Sequence, residues 1–133
     1  GSGILSIASL LLGAKEAAAC DIDDKCLDVA YENAALNGVG RDRYTVLAGD
    51  ILSDEALQAR LGEGYDLVVA YIVADVILAL APAVRRYLKP GGAFLCSGII
   101  DDRAEEVAQG LRENGWEILE TRSAEGWFSY LCR

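Results

Sequence analysis

The chain has 133 residues, 53% of them hydrophobic, with 21 acidic against 12 basic side chains, no histidine and a net charge of −9. That balance argues against a free nucleic-acid backbone as the main partner and permits a basic one. Without histidine there is no Ser-His or Cys-His pair, and the scattered Cys20, Cys26, Cys96 and Cys132 give little basis for a zinc site.

Ile4, Leu5, Ile7, Ala8, Leu11 and Leu12 predict a helix that is apolar nearly all round and buried on every side, ended by Gly13. Ala17–Ile22 predicts the first strand. Leu27, Ala30, Tyr31 and Ala34 then share one helical face, with Asp23 placed to cap that helix and Asn37-Gly38 to end it. Tyr44–Ala48 is the second apolar run, and Ser53, Asp54 and Glu55 start a short helix. Asp66–Ile72 is a third strand. The stripe Ile77, Leu80, Ala81, Val84 and Leu88 follows, bent or restarted at Pro82. The stretch from Leu67 to Val84 is apolar but carries Asp75 and Pro82. A buried strand followed by an apolar helix explains it better than a membrane span. Ala93–Ser97 is a fourth strand. Asp101 or Asp102 caps a helix carrying Ala104, Val107, Ala108 and Leu111, closed by Gly115. WEILETR and WFSYLCR flank Ser123-Ala124-Glu125-Gly126 without a helix between them, which predicts an antiparallel hairpin.

Strands alternating with helices at this spacing predict an α/β fold, an open parallel sheet covered on both faces. The cysteines fit as small hydrophobes of a reducing cytoplasm. Gly1-Ser2-Gly3 has two readings, a tag scar or the end of a cofactor loop whose leading strand lies upstream. Glycines directly before an apolar helix, itself followed by a strand ending in acid, suit the loop. Gly1 and Gly3 would let a ligand approach the backbone at a helix N-terminus. Asp21, with Ile22 beside it, ends the next strand, where a carboxylate can accept both ribose hydroxyls of an adenosine cofactor. Asp50 comes after the second run, where it can reach an adenine edge; the alternative is a loop acid capping the segment after it. Gly1, Gly3 and Asp21 also fit a nicotinamide dinucleotide fold loosely.

Leu88-Lys89-Pro90-Gly91-Gly92, then a strand, a helix and the closing hairpin, resembles the class I S-adenosylmethionine-dependent methyltransferase pattern. Together with GSGILSIASLLLGA, DID, YENAALNGV, YDLVVAYIVADVILALAP, LKPGGAFLCSGI and GWFSYLCR, the likeness narrows to one family. It is the bacterial lysine methyltransferase family that modifies the large-subunit stalk-base ribosomal protein, protein L-eleven. The resemblance covers residues 1–133 as that family's C-terminal catalytic domain. It implies a Rossmann-like doubly wound sheet of order 3-2-1-4-5-7-6 ending in an antiparallel hairpin, with the first strand, an acidic strand end and a further glycine upstream of Gly1. It also implies S-adenosyl-L-methionine as cofactor, a ribosomal protein substrate methylated on lysine or α-amino groups, no direct nucleic acid or membrane partner, and a cytoplasmic location.

One position departs from the family pattern. Where the family usually has Asn in an A-N-I-x-A-D context, this chain reads Ala70-Tyr71-Ile72-Val73-Ala74-Asp75. Tyr71 is therefore the candidate catalytic residue and a candidate cofactor neighbour, bulkier than Asn and unable to supply its amide. An N-P-P-Y type sequence is absent, which argues against adenine or glutamine-amide substrates. The alternatives are a methyltransferase for another protein or a small molecule, or a non-catalytic cofactor-binding remnant.

Overall fold

Apolar runs and amphipathic helices fold here into two units, Gly1–Gly62 and Glu63–Arg133; the structure, a computed structural model, describes all residues 1–133. The first unit contains α1 (Ile4–Leu11), β1 (Ala17–Asp21), α2 (Lys25–Leu36), β2 (Tyr44–Ala48) and α3 (Glu55–Leu61). β1 and β2 pair in parallel, from Ala17 opposite Tyr44 to Asp21 opposite Ala48. A parallel pair needs a crossover connection, and α2 provides it. Both strand ends that carry candidate acids therefore emerge on the same side of the pair.

α2 is set at both ends by its own sequence. The Asp23 carboxylate accepts the Lys25 N–H at 3.0 Å, so Asp23 does the capping, although Asp24 occupies the N-cap position and makes no side-chain bond. At the other end Gly38 takes a positive φ of 73°. The Val39 N–H reaches the Ala34 carbonyl at 2.9 Å and the Gly38 N–H reaches Ala35 at 3.1 Å, the paired bonds of a Schellman ending. Tyr31, on the inner face, accepts the Val46 N–H at 2.8 Å and so occupies the outer edge of β2. α3 is capped by Asp54, whose side chain accepts the Leu57 N–H at 3.0 Å.

α1 departs from expectation. Only Ile7 and Leu10 are buried, against Ala30, Ala34, Val39, Tyr44 and Val46, while Ile4 is 70% and Leu12 89% exposed. Burial follows partners, and within this unit only one stripe of the helix meets other elements. The C-terminal end of α1 is held by Arg43, whose guanidinium donates to the carbonyls of Leu10, Ala14 and Lys15 at 2.9–3.3 Å.

The second unit contains β3 (Tyr65–Tyr71), α4 (Ala74–Leu80), a short 3-10 helix (Val84–Tyr87), β4 (Leu88–Ile100), α5 (Asp101–Glu113), β5 (Ile118–Ala124) and β6 (Trp127–Cys132). The sheet order is β3-β4-β6-β5, with β3 and β4 parallel and β6 antiparallel to both of its neighbours. The orders found within the two units, β2-β1 and β3-β4-β6-β5, match the 3-2 and 4-5-7-6 flanks of the expected arrangement, and the fold is that of the class I methyltransferases. Pro82 does end α4, and the chain restarts as the 3-10 helix. The fourth strand is longer than expected and includes Leu88–Gly92. Leu88 pairs with Tyr65 and Ala93 with Leu67, so the residues between them bulge, with Gly91 at φ 80°.

Neither Asp101 nor Asp102 caps α5. The N-cap position is Ile100, both acids lie in the first turn, and the Asp101 N–H is taken by the Gly126 carbonyl at 2.9 Å. β4 passes straight into α5, so the hairpin carbonyl satisfies a donor that a side-chain cap would otherwise serve. The hairpin turn is only Glu125-Gly126, both at positive φ (52° and 84°), the two-residue geometry that suits strand twist. The core gathers Ile77, Phe94, Cys96, Ile99, Val107, Leu111 and Cys132, all fully buried. Trp116 packs on Phe94 at 5.2 Å between ring centroids and donates its indole N–H to the Ala81 carbonyl at 2.8 Å. Cys96 and Cys132 are buried free thiols, whereas Cys20 and Cys26 are only half-buried. No helix is long and apolar enough to cross a membrane.

Candidate cofactor and acceptor sites

In the first unit, Gly1, Gly3, Asp21 and Ile22 come together at the carboxyl edge of β1. Gly3 sits at the N-cap of α1 with φ 80°, and its carbonyl accepts the Ile7 N–H at 2.9 Å. A side chain at this position has no room: a Cβ would lie 2.7 Å from the Tyr44 hydroxyl and 3.2 Å from the Ala30 Cβ. The turn is tethered to α2, because the Asn33 amide donates to the Ser2 carbonyl at 3.0 Å. α1 thus starts, with no side chain capping its first backbone N–H groups, from a turn that is fixed from below.

Asp21 closes the other side. One carboxylate oxygen accepts the Asp23 N–H at 3.0 Å, and the other faces Gly1. The Asp21 carbonyl accepts the Gly49 N–H at 2.9 Å, which ties the end of β1 to the loop after β2. Ile22, beside it, is exposed.

Asp50 lies past the end of β2 on the same edge. One of its oxygens accepts the Leu52 N–H at 3.0 Å, and its carbonyl accepts the N–H groups of Ser53 and Asp54. Asp50 therefore organises the turn into α3, the loop-capping alternative, while standing at the strand end where an adenine edge would be reached. Gly49, at φ 141°, lets that turn pack closely; a Cβ there would meet Asp54 and Leu57 at 3.0 Å.

The first unit offers features that suit an adenosine cofactor with an amino-acid tail. Gly3 forms a cradle that a Cβ would fill, with the enclosed Tyr44 hydroxyl lying beneath it. Asp21 places a carboxylate at the strand end. Asn33 and Tyr44 were missed by sequence reasoning. Asn33 reads there only as part of a helix and Tyr44 only as the start of a strand.

Tyr71 belongs to the second unit. It ends β3 opposite Ser97 and is 68% exposed. Its ring lies beside Gly98, where a Cβ would sit 3.6 Å from it. Ile72, Val73, Ile100 and Trp127 are exposed on the same unit, and Ile100 pairs with Trp127 across β4 and β6. Trp127, 53% exposed, was missed; the signal was its place immediately after the hairpin turn, at the mouth of a strand rather than inside it. The start of α4 is anchored by Asp75, which pairs with Arg103 at 2.6 Å, Arg103 also engaging Glu106. The resulting edge is apolar and open, with an aromatic hydroxyl at the end of β3.

Comparison with known proteins matches residues 1–133 to the family described as ribosomal protein L11 methyltransferase (PrmA). Among curated relatives of that name, the Desulforamulus reducens protein is 45% identical over 132 residues, covering 99% of this chain and 41% of the relative. The Desulfitobacterium hafniense protein is 47% identical over 127 residues, covering 96% and 38%. The chain thus spans about two fifths of the length of these relatives. The solved ribosomal protein L11 methylase of Lactobacillus delbrueckii subsp. bulgaricus superposes with a TM-score of 0.88 at 34% identity, over 100% of this chain and 65% of that one. Aeropyrum pernix fibrillarin, solved with S-adenosyl-L-methionine, shares the fold at a TM-score of 0.70 and 14% identity, over 89% and 55%.

Proposed function

The chain belongs to the ribosomal protein L11 methyltransferase family, and from that premise we propose that residues 1–133 form a single catalytic domain of an S-adenosylmethionine-dependent N-methyltransferase. Its acceptors are lysine or α-amino groups of a ribosomal protein. Within the chain, the observation that supports this best is the glycine turn at the N-cap of α1, where Gly3 leaves no room for a Cβ, beside a strand β1 that ends in Asp21. In this reading Gly1 and Gly3 present backbone N–H groups to the carboxylate end of S-adenosyl-L-methionine, Asp21 holds the ribose hydroxyls with Ile22 against the adenosine, and Asp50 reaches the adenine edge. When bound, the cofactor supplies a methyl group made electrophilic by the adjoining sulfonium.

The chain's own contribution is then alignment and exclusion of water. Residues 1–133 hold no histidine; as far as this chain is concerned, the acceptor nitrogen loses its proton to solvent, or in a desolvated setting that disfavours the ammonium. The net charge of −9 suits a basic ribosomal protein. The reading invokes no direct contact with nucleic acid or membrane and places the protein in the cytoplasm, where ribosomes are assembled. The test is transfer of labelled methyl from S-adenosylmethionine to ribosomal protein L11 by the full-length protein. Label on lysine or the amino terminus is expected. Label appearing only on another protein or a small molecule would replace the substrate assignment, and cofactor binding with no transfer to any acceptor would favour a non-catalytic remnant.

Tyr71 gives that second reading its footing, because it stands where the family pattern has Asn. We place Tyr71 at the acceptor side of methyl transfer. Tyr71→Asn is expected to change turnover while altering S-adenosylmethionine affinity by less than about tenfold. Turnover rises toward the L11 lysine if Tyr71 is a damaging replacement, and falls toward the true acceptor if it is an adaptation. An unchanged rate with every acceptor, together with loss of a cooperative melt, would make Tyr71 a structural residue instead.

A further inference from the structure

β5 ends the sheet order β3-β4-β6-β5, so one of its edges pairs with no strand. Every residue from Leu119 to Ala124 is exposed, and Leu119 holds a large apolar side chain 45% open. What that edge offers follows from the hairpin. The two-residue turn Glu125-Gly126 makes its flanking residues, Ala124 and Trp127, a hydrogen-bonded pair. An antiparallel ladder alternates, so Arg122 with Ser129 and Glu120 with Leu131 are hydrogen-bonded pairs as well. Thr121 and Ser123 lie between them, opposite Tyr130 and Phe128, and therefore turn their N–H and C=O groups away from β6, to the open edge. No proline interrupts the strand.

Thr121 is the middle residue of the seven in β5, and charge is arranged about it. Glu120 precedes it and Arg122 follows; their side chains share one face of the strand and pair at 2.7 Å. An antiparallel second copy can hydrogen-bond to this edge only in registers that set outward-facing residues against each other. If Glu120 lies opposite its own copy, or Arg122 opposite its own copy, like charges meet, which destabilises the strand pair. With Thr121 on the two-fold axis, each Glu120 meets an Arg122, and the whole strand overlaps, Ile118 opposite Ala124. Hydrogen-bond phase, charge and length select the same register.

We infer that β5 is a self-pairing edge: two copies of the chain join β5 to β5 antiparallel about a two-fold axis at Thr121, with Glu120 of each copy against Arg122 of the other. The pair within each strand then becomes part of a ring of four alternating charges. Charge protects a strand edge when it repels an approaching copy; here the two signs straddle the axis and complement one. The net charge of −9 opposes close approach, and an edge of seven residues is a small interface. The dimer therefore forms reversibly as concentration rises. The inference is independent of the cofactor reading above.

The test is sedimentation equilibrium of the full-length protein over a concentration series, with thermal melts as the check on folding. Wild type is expected to pass from monomer to twice the monomer mass. Glu120→Arg and Arg122→Glu each set like charges opposite each other, so each variant alone stays at monomer mass while melting as wild type does. An equimolar mixture of the two variants is expected to regain the dimer, because every replaced charge then faces its opposite. A wild-type protein that stays monomeric to its highest soluble concentration would overturn the inference. So would a dimer that persists in either single variant, or a mixture that stays monomeric. A monomeric wild type whose affinity for ribosomal protein L11 falls in both variants would also overturn it, and would give the strand to the substrate protein instead.

Discussion

Gly3→Ala should destabilise the first unit by about 2–5 kcal/mol and remove cofactor binding from whatever remains folded. Two costs add. The residue sits at φ 80°, a conformation that costs a non-glycine residue about 1–2 kcal/mol. The new methyl also has no space, since it would lie 2.7 Å from the Tyr44 hydroxyl and 3.2 Å from the Ala30 Cβ, and overpacking of this kind costs about 1–3 kcal/mol. Gly38 is the internal control. It too has positive φ, at 73°, but a Cβ there meets nothing within 4 Å. Gly38→Ala should therefore carry only the backbone cost. Urea unfolding of the two variants measures the difference. Equal losses would mean that contact beneath Gly3 relaxes freely and that the turn is not fixed from below.

Asp21→Ala should weaken S-adenosylmethionine binding by about 1.5–3 kcal/mol, the loss typical of hydrogen bonds to a charged group, which is about tenfold to a hundredfold in affinity. The neighbouring acid is expected to behave oppositely. Asp23 directs its carboxylate to the Lys25 N–H, so Asp23→Ala should cost about 1 kcal/mol of stability through the lost cap and leave affinity nearly unchanged. Isothermal titration and thermal melts on the two variants separate these effects. If Asp23→Ala lost the affinity and Asp21→Ala lost the stability, the roles assigned to the two acids would be reversed.

Much of this could be read from residues alone. The strand ends at Asp21 and Tyr71 were legible because apolar runs stop at polar or turn-forming residues, and β1 and β3 end within one residue of the expected places. The Asn37-Gly38 ending of α2 was legible because left-handed geometry after a helix is written locally, in a glycine. What the sequence hid depends on partners far along the chain. Periodicity showed that α1 is apolar all round but not which side would find a neighbour, so its exposed Ile4 and Leu12 came as a correction. The caps assigned to Asp101 and Asp102 failed for a similar reason. The Gly126 carbonyl, brought in by the hairpin, had already satisfied the Asp101 N–H. Tyr44 and Asn33 were invisible as site residues because each acts on the glycine turn through the fold, from positions well removed in sequence.

The central claim is that the glycine turn and Asp21 form the adenosine-cofactor edge of a methyltransferase. It is tested most directly by calorimetric titration of the folded, full-length protein with S-adenosylmethionine, S-adenosylhomocysteine and a nicotinamide dinucleotide. The account predicts saturable binding of the first two at one site and none of the third. Saturation by the dinucleotide, or no heat with either S-adenosyl ligand on protein that melts cooperatively, would contradict it.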